Sequence, residues 1–161
     1  FMIASEHNMS TSYDPNYDCR LWSTEDAKDA MSELEPYIDI MFLSLEHDVV
    51  KLFEIDSPDK CIKHLWDKGI GTVVVKSAKD KGYFVGYEGD IIFVNFYTEE
   101  VSDSTGSGDA FNGAFLHGLN SGMTPFEAAK LASIVAGLQC HGMGAIKSIP
   151  YKEQVYAAYY E

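Results

Sequence analysis

The stretch Gly71-Thr72-Val73-Val74-Val75 constrains the fold more than any other segment of its length. Past its glycine it is β-branched throughout. A strand without a polar face has to be covered on both sides, as in a mostly parallel sheet held between helices. The neighbouring sequence offers that cover. Ser57-Pro58 opens a helix whose Ile62, Leu65 and Trp66 share one face, and Gly69 closes it. Upstream, Ser23 and Thr24 can cap a helix with Glu25 and Asp26 in its first turn. Its buried stripe is Ala27, Ala30, Met31 and Leu34, and Pro36 ends it. Ile38 to Leu43 is a second apolar run of strand length, followed by a helical Glu46 to Phe53. Met9 to Tyr13 reads as a short strand that stops at the turn Asp14-Pro15-Asn16, and no element is expected before it.

The second half continues the alternation. Tyr83 to Val85 and Ile91 to Phe96 read as an antiparallel pair joined around Gly86 to Asp90. Phe111, Ala114, Phe115 and Leu119 line one face of a helix. Thr124-Pro125-Phe126-Glu127 is a capping box that opens another helix, with stripe Ala128, Leu131, Ala132 and Val135. Gly142, Gly144 and Pro150 mark a loop before a terminal helix over Lys152 to Tyr160. Strands alternating with helices predict an α/β sheet with helices on both faces, here as a single domain over 1–161. In such sheets, sites gather at the carboxyl ends of the strands.

Charge narrows the partners. Twelve basic against 25 acidic residues give a formal charge of −13, which repels a nucleic-acid backbone or an anionic membrane surface. An anionic small substrate stays open, because local helix dipoles and a bound cation can reverse the field inside a pocket. Cys19, Cys61 and Cys140 are odd in number and show no metal-type pairing, so free thiols and a cytoplasmic location are expected. No apolar run approaches bilayer-spanning length, and Phe1 to Ser10 has no signal-peptide pattern. The five histidines have no ligand spacing, and Tyr156, Tyr159 and Tyr160 read as packing residues of a terminal helix.

The chemistry concentrates in Asp103-Ser104-Thr105-Gly106-Ser107-Gly108-Asp109, which runs directly into Ala110-Phe111-Asn112-Gly113. Two glycines and a carboxylate at a loop-to-helix junction let backbone N–H groups and the positive helix end converge on an anion, with Asp109 beside them. That combination suits phosphoryl transfer, where preset donors stabilise developing charge and a carboxylate accepts the proton of an attacking hydroxyl. Taken alone, a short glycine pattern can also be only a tight turn.

This stretch resembles the signature of the ribokinase-like, or PfkB, family of carbohydrate kinases, Asp-x-Thr-Gly-Ala-Gly-Asp, with Ser107 in place of alanine. Gly144-Ala145 and Ser148-x-Pro150 extend the resemblance downstream. Asp14-Pro15-Asn16-Tyr17 and Leu21-Trp22 are similar to an element of fructokinase-like and 2-keto-3-deoxygluconate-kinase-like members, with Asp18 standing where an arginine is usual and Arg20 two residues on. The resemblance implies a ribokinase-like doubly wound sheet, of which this chain is the C-terminal, ATP-side part, without the N-terminal sugar-binding and lid part. A missing segment or a homo-oligomer would then complete it.

It further implies an ATP-dependent, Mg2+-requiring kinase for a small sugar or sugar acid, with K+ as an additional cofactor. Asp109 would be the base, and Gly106, Ser107 and Gly108 the anion hole. Lys76, Ser77, Gly82, Ser133 and Gly144 would lie on the nucleotide side. Glu46 would serve Mg2+, Asp103, Thr105 and Ser148 a monovalent cation, and Asp14 and Asn16 the substrate. Plainer readings stand beside these: turn chemistry for Asp14 and Asn16, a first-turn helix acid for Glu46, a solvated strand-end lysine for Lys76. A non-catalytic nucleotide- or sugar-binding remnant is the rival for the whole chain. A dinucleotide-binding oxidoreductase is disfavoured by the missing third glycine.

Overall fold

The computed structural model describes residues 1–98 and 100–160. The described elements are α1 (Met2–Glu6), β1 (Ser12–Tyr13), α2 (Thr24–Leu34), a 3-10 turn (Glu35–Tyr37), β2 (Ile40–Ser44), a π-helix (Leu45–Phe53), α3 (Pro58–Asp67), β3 (Thr72–Ser77), β4 (Gly82–Tyr87), β5 (Asp90–Asn95), α4 (Ser107–Asn120), α5 (Pro125–Cys140) and α6 (Lys152–Tyr160). Strand order in the five-stranded sheet is β1-β2-β3-β4-β5. β1, β2 and β3 pair in parallel, with Ser12 opposite Ile40 and Ile40 opposite Thr72. The short connections into and out of β4 turn the chain back, so the sheet is mixed and the class α/β, as the alternation predicts.

The chain divides into two compact units. Residues 1–80 and 84–92 form the first, and residues 81–83 and 93–161 the second.

In the first unit, Val73, Val74 and Val75 are completely buried, as are Met41 and Leu43 of β2. Cys61, Ile62 and Leu65 of α3 and Ala27 and Met31 of α2 belong to the same core. The predicted caps form: the Ser23 hydroxyl accepts from the Asp26 amide, and Pro58 stands in the first turn of α3 behind the Ser57 cap. Three expectations change. The strand predicted from Met9 shrinks to Ser12–Tyr13, and an uncapped five-residue helix precedes it. A segment that short carries no readable period. The helix predicted over Glu46 to Phe53 is a π-helix, whose wider turn brings Asp48 rather than Glu46 into the interior.

In the second unit, the capping box closes as expected. Thr124 N donates to Glu127 Oε2 at 2.8 Å and Glu127 N to Thr124 Oγ1 at 3.3 Å. Phe111 and Phe115 are completely buried, and Phe111 stacks on Tyr83 with ring centres 4.0 Å apart. A Cβ on Gly118 would stand 2.8 Å from Ala128 Cβ, so only glycine there lets α4 and α5 approach this closely.

Candidate active site

In the second unit, the chain enters α4 through Gly106, whose φ of 81° lies in the left-handed region that glycine tolerates. A Cβ at Gly106 would also meet Ala145 Cβ at 2.7 Å, so the loop and the 144–148 segment touch through this residue. No side chain caps the helix. The Ser107 amide donates to Ser104 O at 3.1 Å, whereas among the described residues the amides of Gly108 and Asp109 meet no acceptor. Of the three expected anion-hole residues, Ser107 therefore has its backbone donor engaged, and the open donors are those of Gly108 and Asp109. Two aligned amides at the positive end of a 14-residue helix are suited to an anion. Asp109, in the same turn, is exposed. A cavity of about 110 Å³ lies against the turn, lined by Ser104, Ser107, Ser133, Cys140, Tyr83 and Phe96.

The loop is braced from behind. Asp103 Oδ1 accepts from the Thr105 amide and Oδ2 from the Gly144 amide, both at 2.9 Å. Hydrogen bonds from the Thr105 hydroxyl and amide, then from the Gly144 amide, hold the Asp103 carboxyl below the usual carboxylate range. Gln139, completely buried, donates through Nε2 to Thr105 O at 2.8 Å and to Ser148 Oγ at 3.3 Å. The Ser148 hydroxyl in turn donates to Gly144 O. Asp103, Thr105, Gly144 and Ser148 are thus gathered into one bracket. Its oxygens, one carboxylate among carbonyls and hydroxyls, are hard donors that fit a monovalent cation. Gln139 escaped the sequence reading, although a polar side chain one position from the apolar end of α5 was a usable signal.

Ser133 is buried and its hydroxyl donates to Asn95 O at 2.8 Å. Gly82 opens β4, and a Cβ there would lie 2.3 Å from the Phe93 ring. The Cys140 thiol is pushed up by burial and pulled back in part by the Ser107 hydroxyl.

The first unit contributes a separate group at the carboxyl ends of its three parallel strands. Lys76, in β3, is no solvated lysine: its ammonium pairs with Asp14 Oδ2 at 2.8 Å, with side chains 16% and 22% exposed. Asp14 Oδ1 accepts from the Asn16 amide at 2.9 Å, and Asn16 has a left-handed φ of 41°. Asp48, 2% exposed, accepts from Ser44 N at 2.7 Å and from Tyr17 N at 2.9 Å. Burial raises its carboxyl, the two amides and Lys76 lower it, and Asp14 raises it. Sequence reasoning missed Asp48, because only the π-helical turn carries it inward. Glu46 accepts from the Lys79 amide at 3.0 Å, and Ser77 is buried with its hydroxyl bonded to Asp80 at 2.7 Å. A half-exposed carboxylate such as Glu46 fits Mg2+, which takes one or two carboxylates beside water and phosphate. Among the described residues no cluster of three or more His, Cys, Asp or Glu could hold a metal. Arg20 is held by Asp18, whose carboxyl it draws down to about 2.

A glycine loop leading into a helix without a side-chain cap leaves a helix N-terminus suited to an anion. The sequence profile of the pfkB family of carbohydrate kinases matches residues 1–152, and the chain belongs to that family. An ATP-dependent 6-phosphofructokinase from Thermoanaerobacterium thermosaccharolyticum is 30% identical over 155 residues, which are 96% of this chain and 48% of that protein. A 2-dehydro-3-deoxygalactonokinase from Haloferax volcanii is 34% identical over 128 residues, 78% of this chain and 39% of that protein. The chain spans about half the length of the curated relatives it matches. Among solved structures, an E. coli protein described as a ribokinase II, crystallised with ATP and Mg2+, superimposes with a TM-score of 0.86. At 22% identity it covers 98% of this chain and 50% of its own, and it establishes the ribokinase-like fold. Among the described residues, no helix is long and apolar enough to cross a membrane.

Proposed function

We propose that this chain is the ATP-side part of a kinase that moves the γ-phosphoryl group of ATP to a hydroxyl of a small sugar or sugar acid. The observation that carries the reading is the α4 entrance: two amides without acceptors, no capping side chain, and an exposed carboxylate in the same turn. Asp109 takes the proton of the substrate hydroxyl as its oxygen attacks the γ-phosphorus in line. The new P–O bond forms as the bond to ADP breaks, and ADP leaves with that electron pair. Gly106 and Ser107 shape the turn, and the open amides of Gly108 and Asp109 hold the charge that builds on the phosphoryl oxygens.

Lys76, Ser77, Gly82, Ser133 and Gly144 are assigned to the nucleotide side, and Asp14 and Asn16 to the substrate. Bound Mg2+ neutralises phosphate charge, and Glu46 is the carboxylate assigned to it. Asp103, Thr105 and Ser148 are assigned to a monovalent cation, K+ in the first instance. The Asp109→Asn substitution tests the reading: phosphorylation across a sugar panel falls by roughly 10²–10⁴-fold, the range reached by losing a positioned base, while MgATP binding persists. Equal loss of both in a folded variant refutes the assignment.

A second reading is a non-catalytic nucleotide- or sugar-binding protein. ATP consumption that no sugar stimulates, with MgATP binding intact, would favour it.

A further inference from the structure

We infer that Asp48 is a positioning residue for MgATP binding, acting through Lys76; the inference rests on the kinase reading above. Asp48 lies in the π-helix that follows β2, and its carboxylate bonds two backbone amides from different segments. Ser44 N, at the end of β2, donates to one oxygen, and Tyr17 N, in the loop after β1, donates to the other. The carboxylate is 2% exposed, so water cannot replace either bond. Two further hydrogen bonds tie the loop it grips. Asn16 N closes a turn onto Asp14 Oδ1, and the buried Tyr17 ring sets its hydroxyl 2.8 Å from Thr24 Oγ1.

With one oxygen of Asp14 committed to that turn, the other receives the Lys76 ammonium at 2.8 Å. Lys76 also stands 6.0 Å from the centre of the Phe42 ring. The position of the cation is therefore set in series: Asp48 fixes Tyr17, the turn fixes Asp14, and Asp14 fixes Lys76. Lys76 lies at the carboxyl end of β3, beside Ser44 of β2 in the parallel register. Such an end is where open α/β sheets meet their ligands, and a lysine held there is a ready partner for an anionic phosphate. Nothing in this chain of contacts requires Asp48 to touch the nucleotide.

The test is a double-mutant cycle on MgATP affinity by calorimetric titration, with Asp48→Asn, Lys76→Ala and the double variant. Asp48→Asn keeps the size but turns one acceptor into a donor facing an N–H. Each single substitution weakens MgATP roughly tenfold, and the double variant is no weaker than either single one, the coupling expected of residues acting as one unit. Should Asp48→Asn fail to fold, Asp48→Glu keeps the charge while displacing the Tyr17 amide. It weakens MgATP when Lys76 is present and has no effect in the Lys76→Ala background. A merely structural aspartate would give additive losses in the cycle, and that result, or unchanged affinity in a folded Asp48 variant, overturns the inference. Absence of MgATP binding by the unsubstituted protein overturns the kinase reading, and this inference with it.

Discussion

Asp103 and Gly144, 41 residues apart, are joined by a hydrogen bond of 2.9 Å from the Gly144 amide to the Asp103 carboxylate. The contact fastens the start of the glycine loop to the segment after α5, so the geometry of the α4 entrance depends on residues far apart in the sequence of the second unit.

The hydrogen bonds on this carboxylate, first from Thr105 and then from Gly144, make stability pH-dependent in a definite direction. The folded-state carboxyl of Asp103 is held below its unfolded value of about 3.9, so its contribution is complete above that value and is lost as pH falls through the lower, folded one. Asp103→Asn is therefore less stable than the unsubstituted protein at pH 7, and the gap closes in acid. Urea unfolding midpoints at pH 7, 4 and 3 measure it; a gap that stays constant across that range contradicts the assignment.

Gly106→Ala forces an L side chain into the left-handed region and drives its Cβ to 2.7 Å from Ala145. Strain of this kind costs of order 1–3 kcal/mol. The variant is expected to melt several degrees lower, and to bind MgATP poorly even at temperatures where it is folded. A variant with unaltered nucleotide affinity would separate the loop from phosphate binding.

Gln139→Leu removes the buried donor shared by Thr105 O and Ser148 Oγ. A hydrogen bond is worth about 0.5–1.5 kcal/mol net, and water can reach these part-buried acceptors, so denaturant stability falls by about 1 kcal/mol. Backbone amides of residues 103–107 and 144–148 should exchange faster with deuterium, while those of α2 and α3 keep their protection. Uniformly faster exchange would mean a global loss of stability and no local bracket.

Thiol chemistry gives a simple check on burial. Cys19 is exposed, while Cys61 and Cys140 are buried, and burial pushes the Cys61 thiol up to about 12. A disulfide reagent at pH 8 should label one thiol of the native protein quickly and all three after denaturation. Rapid native labelling at Cys61 would refute the packing of α3.

Much of this architecture was written locally. Three valines in a row demanded a doubly covered strand, and Thr124 with Glu127 announced the start of α5 through a cap that is complete within four residues. The glycine loop was equally readable, because left-handed backbone at Gly106 is a property of the residue itself. What escaped depends on register or on distance. The π-helix differs from an α-helix by one residue per hydrogen-bonded turn, and nine residues of apolar pattern do not distinguish the two. Reading it as ordinary helix directs attention to Glu46 and away from Asp48. The engagement of Ser107 N by Ser104 O is a matter of turn geometry. Met2–Glu6 forms a helix too short to display any period.

The ion pair between Lys76 and Asp14 was invisible for a different reason: it closes over 62 residues and requires β2 to lie between β1 and β3. That separation sets an order of events during synthesis. Local helices can form as they emerge, but contacts of such long span wait for the loop between them to close. A nascent chain halted before residue 76 would hold its first loop without the lysine that completes it, so this corner of the protein matures only after the third strand has docked.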